Sequence, residues 1–111
     1  MKNEDVIFLV DEGFYIIGKG RILAGQVIEG KIEIGDRLTL VKINKKVMLK
    51  IDEYEVTVTK IEAFRKSNLQ VANKGDNVGI CIEGEEKFKP AKGNLLVSGN
   101  WEELIGLEYL E

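Results

Sequence analysis

A chain of 111 residues has the length of one domain with one core. Its 44% hydrophobic and 32% charged content is that of an ordinary soluble globule, and a formal net charge of −3 argues against a strongly electrostatic nucleic-acid binder. There is no histidine, which removes the usual general base and the commonest metal ligand; the single cysteine, Cys81, excludes an internal disulfide and a Cys/His zinc site.

Charge is spread unevenly. The two ends are acidic, whereas residues 37–92 carry an excess of lysine and arginine. A local basic face and a mixed solvated surface both fit this pattern. No apolar run approaches the roughly 18 residues that span a membrane, and no basic segment precedes a long apolar one. A cytoplasmic monomer with no membrane contact is expected.

Twelve glycines against one proline punctuate short segments rich in Val, Ile, Phe and Thr. That is the pattern of a sandwich or barrel of short strands. Residues 5–10 predict a strand and residues 14–17 a second one, after Asp11-Glu12-Gly13. Gly18-Lys19-Gly20 bends the chain. In residues 21–29, Ile22, Ala24, Gln26 and Ile28 share one face, and Leu23, Gly25, Val27 and Glu29 the other. Gly25 marks a bend or a close approach of another backbone. Turns follow at Glu29-Gly30 and Gly35-Asp36, with Ile32 and Ile34 as an apolar pair between them.

Residues 37–43 alternate cleanly, Asn44-Lys45-Lys46 forms a hairpin tip, and residues 47–51 return from it. Asp52-Glu53 reads as a further turn. Residues 55–64 form a long strand with Val56, Val58, Ile61 and Phe64 as core candidates, and Lys66-Ser67-Asn68 leaves the sheet. Leu69 and Val71 dip toward the core before Lys74-Gly75-Asp76. Val78, Ile80 and Ile82 face inward from residues 77–82, with Gly79 and Cys81 opposite. A polar connection, 83–92, holds Pro90, and residues 94–98 form a last strand. In the tail, 99–111, Asn100 is placed to cap a short helix with Leu104 and Leu107 on one face; a short closing strand is the alternative. Trp101 either plugs a barrel end or offers a binding platform. The heart of the core is expected among Ile16, Val27, Ile34, Leu40, Ile61, Val78 and Ile80.

Chemical motifs are weak. Residues 13–19 spell GxxxxGK, but Gly20 stands where a phosphate loop needs Ser or Thr, and the bulky Phe14-Tyr15-Ile16-Ile17 suits a strand. Asn73–Asp76 spells NKxD and Asp76–Gly79 spells DxxG, but they overlap and too little chain precedes them for a nucleotide domain. Gly18-x-Gly20 lacks the third glycine of a dinucleotide fingerprint. The pairs Asp52/Glu53 and Glu85/Glu86 read as solvated charge, and Cys81 as a small core residue with no histidine to activate it. No catalytic residue, cofactor, metal or nucleotide is expected, and the chain is not read as an enzyme.

The arrangement of glycines is more specific. Residues 14–30 with Lys31-Ile32-Glu33-Ile34-Gly35-Asp36, then Ile61-Glu62-Ala63-Phe64-Arg65-Lys66, Gly75-Asp76-Asn77-Val78-Gly79 and Gly93-Asn94-Leu95-Leu96-Val97, occur in order and at plausible spacing. Together they resemble the β-barrel second domain of translational GTPases, elongation factor Tu and its relatives, over residues 5–98. The resemblance implies an all-β fold: a closed six-stranded Greek-key β-barrel of the translation-protein type, in a single domain over residues 1–111. It implies a non-catalytic module that binds RNA, either a tRNA acceptor end or ribosomal RNA, or a translation-factor surface. The alternative is a protein-interaction or factor-mimicking module with no RNA binding. The family-implied site residues are Lys19, Arg21, Glu62, Phe64, Arg65 and Asn77. Arg65 would pair with phosphate, Phe64 would stack on a base, and Asn77 and Glu62 would hydrogen-bond. Structural roles stay open for them: Phe64 in the core, Glu62 with Arg65 along a strand, Asn77 in its own turn. The sequence departs from the family at Lys19, where the arginine of G-R-G would offer a bidentate fork.

Overall fold

The chain is strand after strand because its apolar residues recur with a period of two, and glycine-centred turns separate them. The computed structural model describes residues 2–63, 65–106 and 108–109, with the backbone alone for Ser67, Glu108 and Tyr109. In chain order the elements are β1 (Val6–Ile16), β2 (Gly20–Glu29), β3 (Lys31–Glu33), β4 (Arg37–Asn44), β5 (Leu49–Ala63), β6 (Lys66–Leu69), β7 (Val71–Asn73), β8 (Asn77–Glu83), β9 (Leu95–Ser98), α1 (Trp101–Ile105) and β10 (Glu108–Tyr109).

Six strands pair in a ring, β1–β2–β8–β5–β4–β9 and back to β1, every neighbour antiparallel. The core fills its interior. Phe8, Leu23, Leu38, Leu40, Ile61, Ile80 and Leu96 are fully buried there, on the inward parity of their strands. The β3–β7 ribbon brings Ile32 and Ala72 to one end of that core, and Phe88 packs against it from the 84–94 connection. A smaller cluster lies on the opposite faces of β1, β4 and β9: Ile7, Val41, Leu95 and Val97, covered by Trp101.

The close approach expected at Gly25 is present. A Cβ on this residue would run into the carbonyl oxygen of Leu9 on β1 and touch the ring of Phe8. Only glycine lets β2 cross β1 so tightly.

Several expectations are corrected. Residues 5–10 and 14–17 are not two strands: β1 runs on through residues 11–13, and a register shift between Val10 and Glu12 absorbs Asp11 as a bulge. Asp52-Glu53 is not a turn. It lies inside the 15-residue β5, opposite Lys42 and Val41, and the shift between Lys42 and Ile43 leaves Ile51 as the extra residue. A third shift, between Val58 and Lys60, explains why the buried positions of β5 step from Val58 to Ile61, three residues rather than two. Residues 66–69 do not leave the sheet but return as β6 beside β5.

Of the seven expected core residues, Val27, Leu40, Ile61, Val78 and Ile80 are buried, whereas Ile16 and Ile34 are 39% and 38% exposed. Ile16 ends β1 beside the hairpin tip, and Ile34 lies in the turn after β3.

The tail forms both of the anticipated elements. Asn100 gives α1 no side-chain cap; its N–H instead donates to Asp5 Oδ1 at 2.8 Å. Leu104 is exposed, and Leu107 lies outside the described residues. Trp101, 5% exposed, neither plugs an end nor offers a platform but seals the outer cluster. Short β10 pairs parallel with the start of β5. Among the described residues, no helix is long and apolar enough to cross a membrane.

Truncating Leu40 or Ile61 to alanine is expected to cost about 2–5 kcal/mol, because each leaves a cavity in a filled interior. Ile16→Ala should stay within about 0.5 kcal/mol, as a partly exposed side chain does. Urea unfolding of the three variants reads the difference directly, and equal losses would contradict the inward register described here.

Candidate binding groove

The β1–β2 hairpin runs past the point where β1 leaves β9: β9 pairs only with Val6–Leu9, whereas β1 stays with β2 as far as Ile16. Residues near the tip therefore have no interior to enter. Tyr15 and Ile17 are 70% and 92% exposed, and Phe14 and Ile16 are partly so. Phe14 pairs with Ile22, on the outward parity of β2.

Phe14 and Ile16 form the wall of an open groove of about 420 Å³. Its floor is small: Ala24, Gly25, Gly79 and Ala63. Lys19, Glu62, Asn77 and Asp11 supply its polar groups. The chain order scatters these residues over three segments; the pairings of β2 with β8 and of β8 with β5 bring them together, with Gly79 opposite both Ala24 and Glu62.

Lys19 donates to Glu62 Oε1 at 3.1 Å, and Lys60 Nζ stands 3.2 Å from the same oxygen. Hydrogen bonds from Lys19 first and Lys60 second hold the Glu62 carboxyl below its ordinary value of 4.5. Asn77 is exposed, and its side-chain amide makes no hydrogen bond within the described residues, so it can still donate and accept. Asn77 does not serve its own turn; Asp76 does, accepting from Asn73 N at 2.8 Å.

The other family-implied residues lie elsewhere. Arg21 has the parity of Leu23 and Val27 and sits at the end of the ring rather than in the groove. It donates to Tyr54 Oη at 3.1 Å and to the Gly84 carbonyl, lies 5.7 Å from the Tyr54 ring centroid, and faces Glu86 at 3.7 Å. Tyr54 in turn donates to the Phe88 carbonyl at 3.0 Å and meets the Phe88 ring edge-on. Burial pushes the Tyr54 phenol up. Arg21 thus tethers the 84–94 connection, a structural role. Arg65 is exposed at the β5–β6 turn with a φ of 62°, next to Ala63 but not lining the groove. Glu62 pairs with Lys19 and Lys60. Phe64 lies outside the described residues.

Cys81 is buried on the outward parity of β8, and burial raises its thiol pKa. That is the small packing residue expected of it. Among the described residues, no three carboxylate or cysteine groups gather where they could hold a metal ion.

Sequence reasoning missed Phe14, Ile16 and Asp11 as groove residues. The signal was present in Gly18-Lys19-Gly20: a hairpin tip lies farthest from the core, so the apolar residues beside it have to cover something else. No protein-family model matches the chain.

Because the folded Glu62 carboxyl is held low, its ion pairs stabilise the fold above about pH 4.5 and lose that contribution as pH falls through the lowered value. The pair is partly exposed, so the contribution at neutral pH is small. A carboxyl NMR titration is expected to place Glu62 below 4.5, and Glu62→Gln to flatten the acid limb of the stability curve. A midpoint at or above the ordinary value would show that the lysines do not hold it.

Proposed function

We propose that the chain is a non-catalytic binding module whose groove receives the end of an RNA strand, and that its six-stranded ring is a closed Greek-key barrel of the kind found as the second domain of translational GTPases. The observation that carries this reading is the meeting of Lys19, Glu62 and Asn77, from three separate segments, in one groove walled by Phe14 and Ile16. The order of Gly18-Lys19-Gly20, Ile61–Lys66 and Gly75–Gly79 along the chain supports the family resemblance.

The chemistry suits a terminal nucleotide. Phe14 offers a face for a base, and the small floor lets the base lie close. The uncommitted Asn77 amide can pair with a base edge. Glu62 and Asp11 are acceptors that favour the hydroxyls of a terminal ribose and would repel an internal phosphate. Lys19, which lines the groove, can swing from Glu62 to a phosphate, because the pair is only partly buried. Arg21 is withdrawn from the site and Arg65 flanks it.

A second reading, a protein-interaction module, rests on the exposed Tyr15 and Ile17 at the hairpin tip, an apolar pair of the sort that anchors a partner.

Short RNA oligonucleotides ending in a free 2′,3′-diol are expected to shift the amides of Phe14, Ala24, Asn77 and Gly79 at low salt. A 3′-phosphate should weaken binding, and Asn77→Ala should weaken it about five- to tenfold, the worth of one hydrogen bond. No shift with either oligonucleotide would set the RNA reading aside in favour of the protein-partner one.

A further inference from the structure

The β4–β5 hairpin and the 84–94 connection meet at the end of the ring tethered by Arg21, and both are rich in lysine. Lys42 lies 5.9 Å from the Phe88 ring centroid, between Lys87 and Lys89 in sequence, and Lys45 lies against Gly93, beside Lys92. Six exposed lysines, Lys42, Lys45, Lys46, Lys87, Lys89 and Lys92, thus sit on two segments that meet.

Their compensation differs from that of cations elsewhere. Lys2, Lys19, Lys31, Lys60, Lys74 and Arg37 each have a carboxylate within ion-pair distance. Among the described residues these six lysines have none. Of the carboxylates nearby, Glu53 pairs with Lys50, Glu55 with Arg37 and Glu86 with Arg21; Glu85 shares a hollow with Lys87 and Asp52 lies opposite Lys42 on β5, neither in an ion pair among the described residues. Lys66, at the β5–β6 turn, is a further unpaired cation, away from them. A protein of net charge −3 thus presents on two adjoining segments six lysines that, among the described residues, make no ion pair. Such a concentration repels itself, and a polyanion relieves it.

We propose that this lysine face carries the phosphate backbone of a single-stranded nucleic acid. A hollow lined by Phe14, Tyr15, Arg21, Glu86, Lys89 and Pro90, the Glu86 carboxylate facing Arg21, connects the face to the hairpin tip, and Phe14 also lines the groove. A strand whose end sits in the groove therefore passes exposed Tyr15, a stacking surface, before it meets the lysines. An anionic membrane would also satisfy the lysines, with Val47 and Ile51 exposed nearby, but it would make no use of the aromatic hollow. The proposal rests on the reading of the chain as an RNA-binding module but uses different residues from the groove.

The test measures binding of a fluorescent twelve-nucleotide RNA over a range of salt. Replacing Lys45, Lys46 and Lys92 together with Gln should weaken binding at least about tenfold at low salt. It should also flatten the log–log salt slope by about 2, since each single-strand phosphate contact contributes about 0.7. Lys31→Gln with Lys74→Gln, on other faces, should change neither. An unchanged affinity in the triple variant overturns the proposal and leaves the groove reading standing. Loss in the triple variant with full binding by Phe14→Ala/Asn77→Ala upholds the lysine face and removes the groove reading. Competition by polyglutamate as effective as by unlabelled RNA, or tighter binding to phosphatidylglycerol vesicles than to RNA, overturns the nucleic-acid assignment. Circular dichroism spectra identical to the parent's confirm that each variant is folded.

Discussion

The crossing of β1 and β2 at Gly25 is the constraint on which the rest of the structure depends. The Leu9 carbonyl occupies the space a side chain would need, so the two strands coil around each other more tightly than any other residue would allow. Three register shifts, at Asp11, Ile51 and Thr59, add bends where the long strands β1 and β5 have to curve. Together they bring β8 to β5, and the six strands form a ring with a filled interior. The same coiling lays the β1–β2 hairpin beside the outward faces of β8 and β5. The groove is a consequence of how the ring curves.

Much of this was legible in the sequence, and the failures have physical causes. Alternation gave the inward faces of β2, β4 and β8, and Leu23, Leu40, Val78 and Ile80 are where it put them. It misled at Ile16 and Ile34, because an apolar residue obeys the period whether or not the strand still has an interior beside it. The bulges went unread: Asp11 fell between two segments read as separate strands, Asp52, beside the extra Ile51, has turn-like chemistry, and one extra residue in a paired strand leaves no composition signal. Of the family-implied residues, Lys19, Glu62 and Asn77 line one groove, whereas Arg65 and Arg21 do not. The inward parity of Arg21 commits it to Tyr54 and the 84–94 connection. Trp101 was read as an end plug or a binding platform because the outer apolar faces of β1, β4 and β9 were not recognised as a second cluster needing a cover.

The electrostatics are local rather than global. A net charge of −3 says little about either surface discussed here. In the groove, two lysines share one carboxylate, which holds Glu62 ionised and leaves hydrogen-bonding capacity at Asn77. At the ring end, six lysines make no ion pair among the described residues, while Arg21 is spent on holding the loop that presents three of them. Lysine suits that face, since a flexible point charge follows a backbone without demanding bidentate geometry.

The central claim is that one groove, assembled from three segments, receives an RNA end. Photo-crosslinking tests it most directly, with an oligonucleotide carrying 4-thiouridine as its last nucleotide and the adducts mapped by mass spectrometry. The account predicts adducts on residues 14–24, 62–63 and 77–79. Adducts confined to the α1 face around Leu104, or spread without preference over the surface, would contradict it.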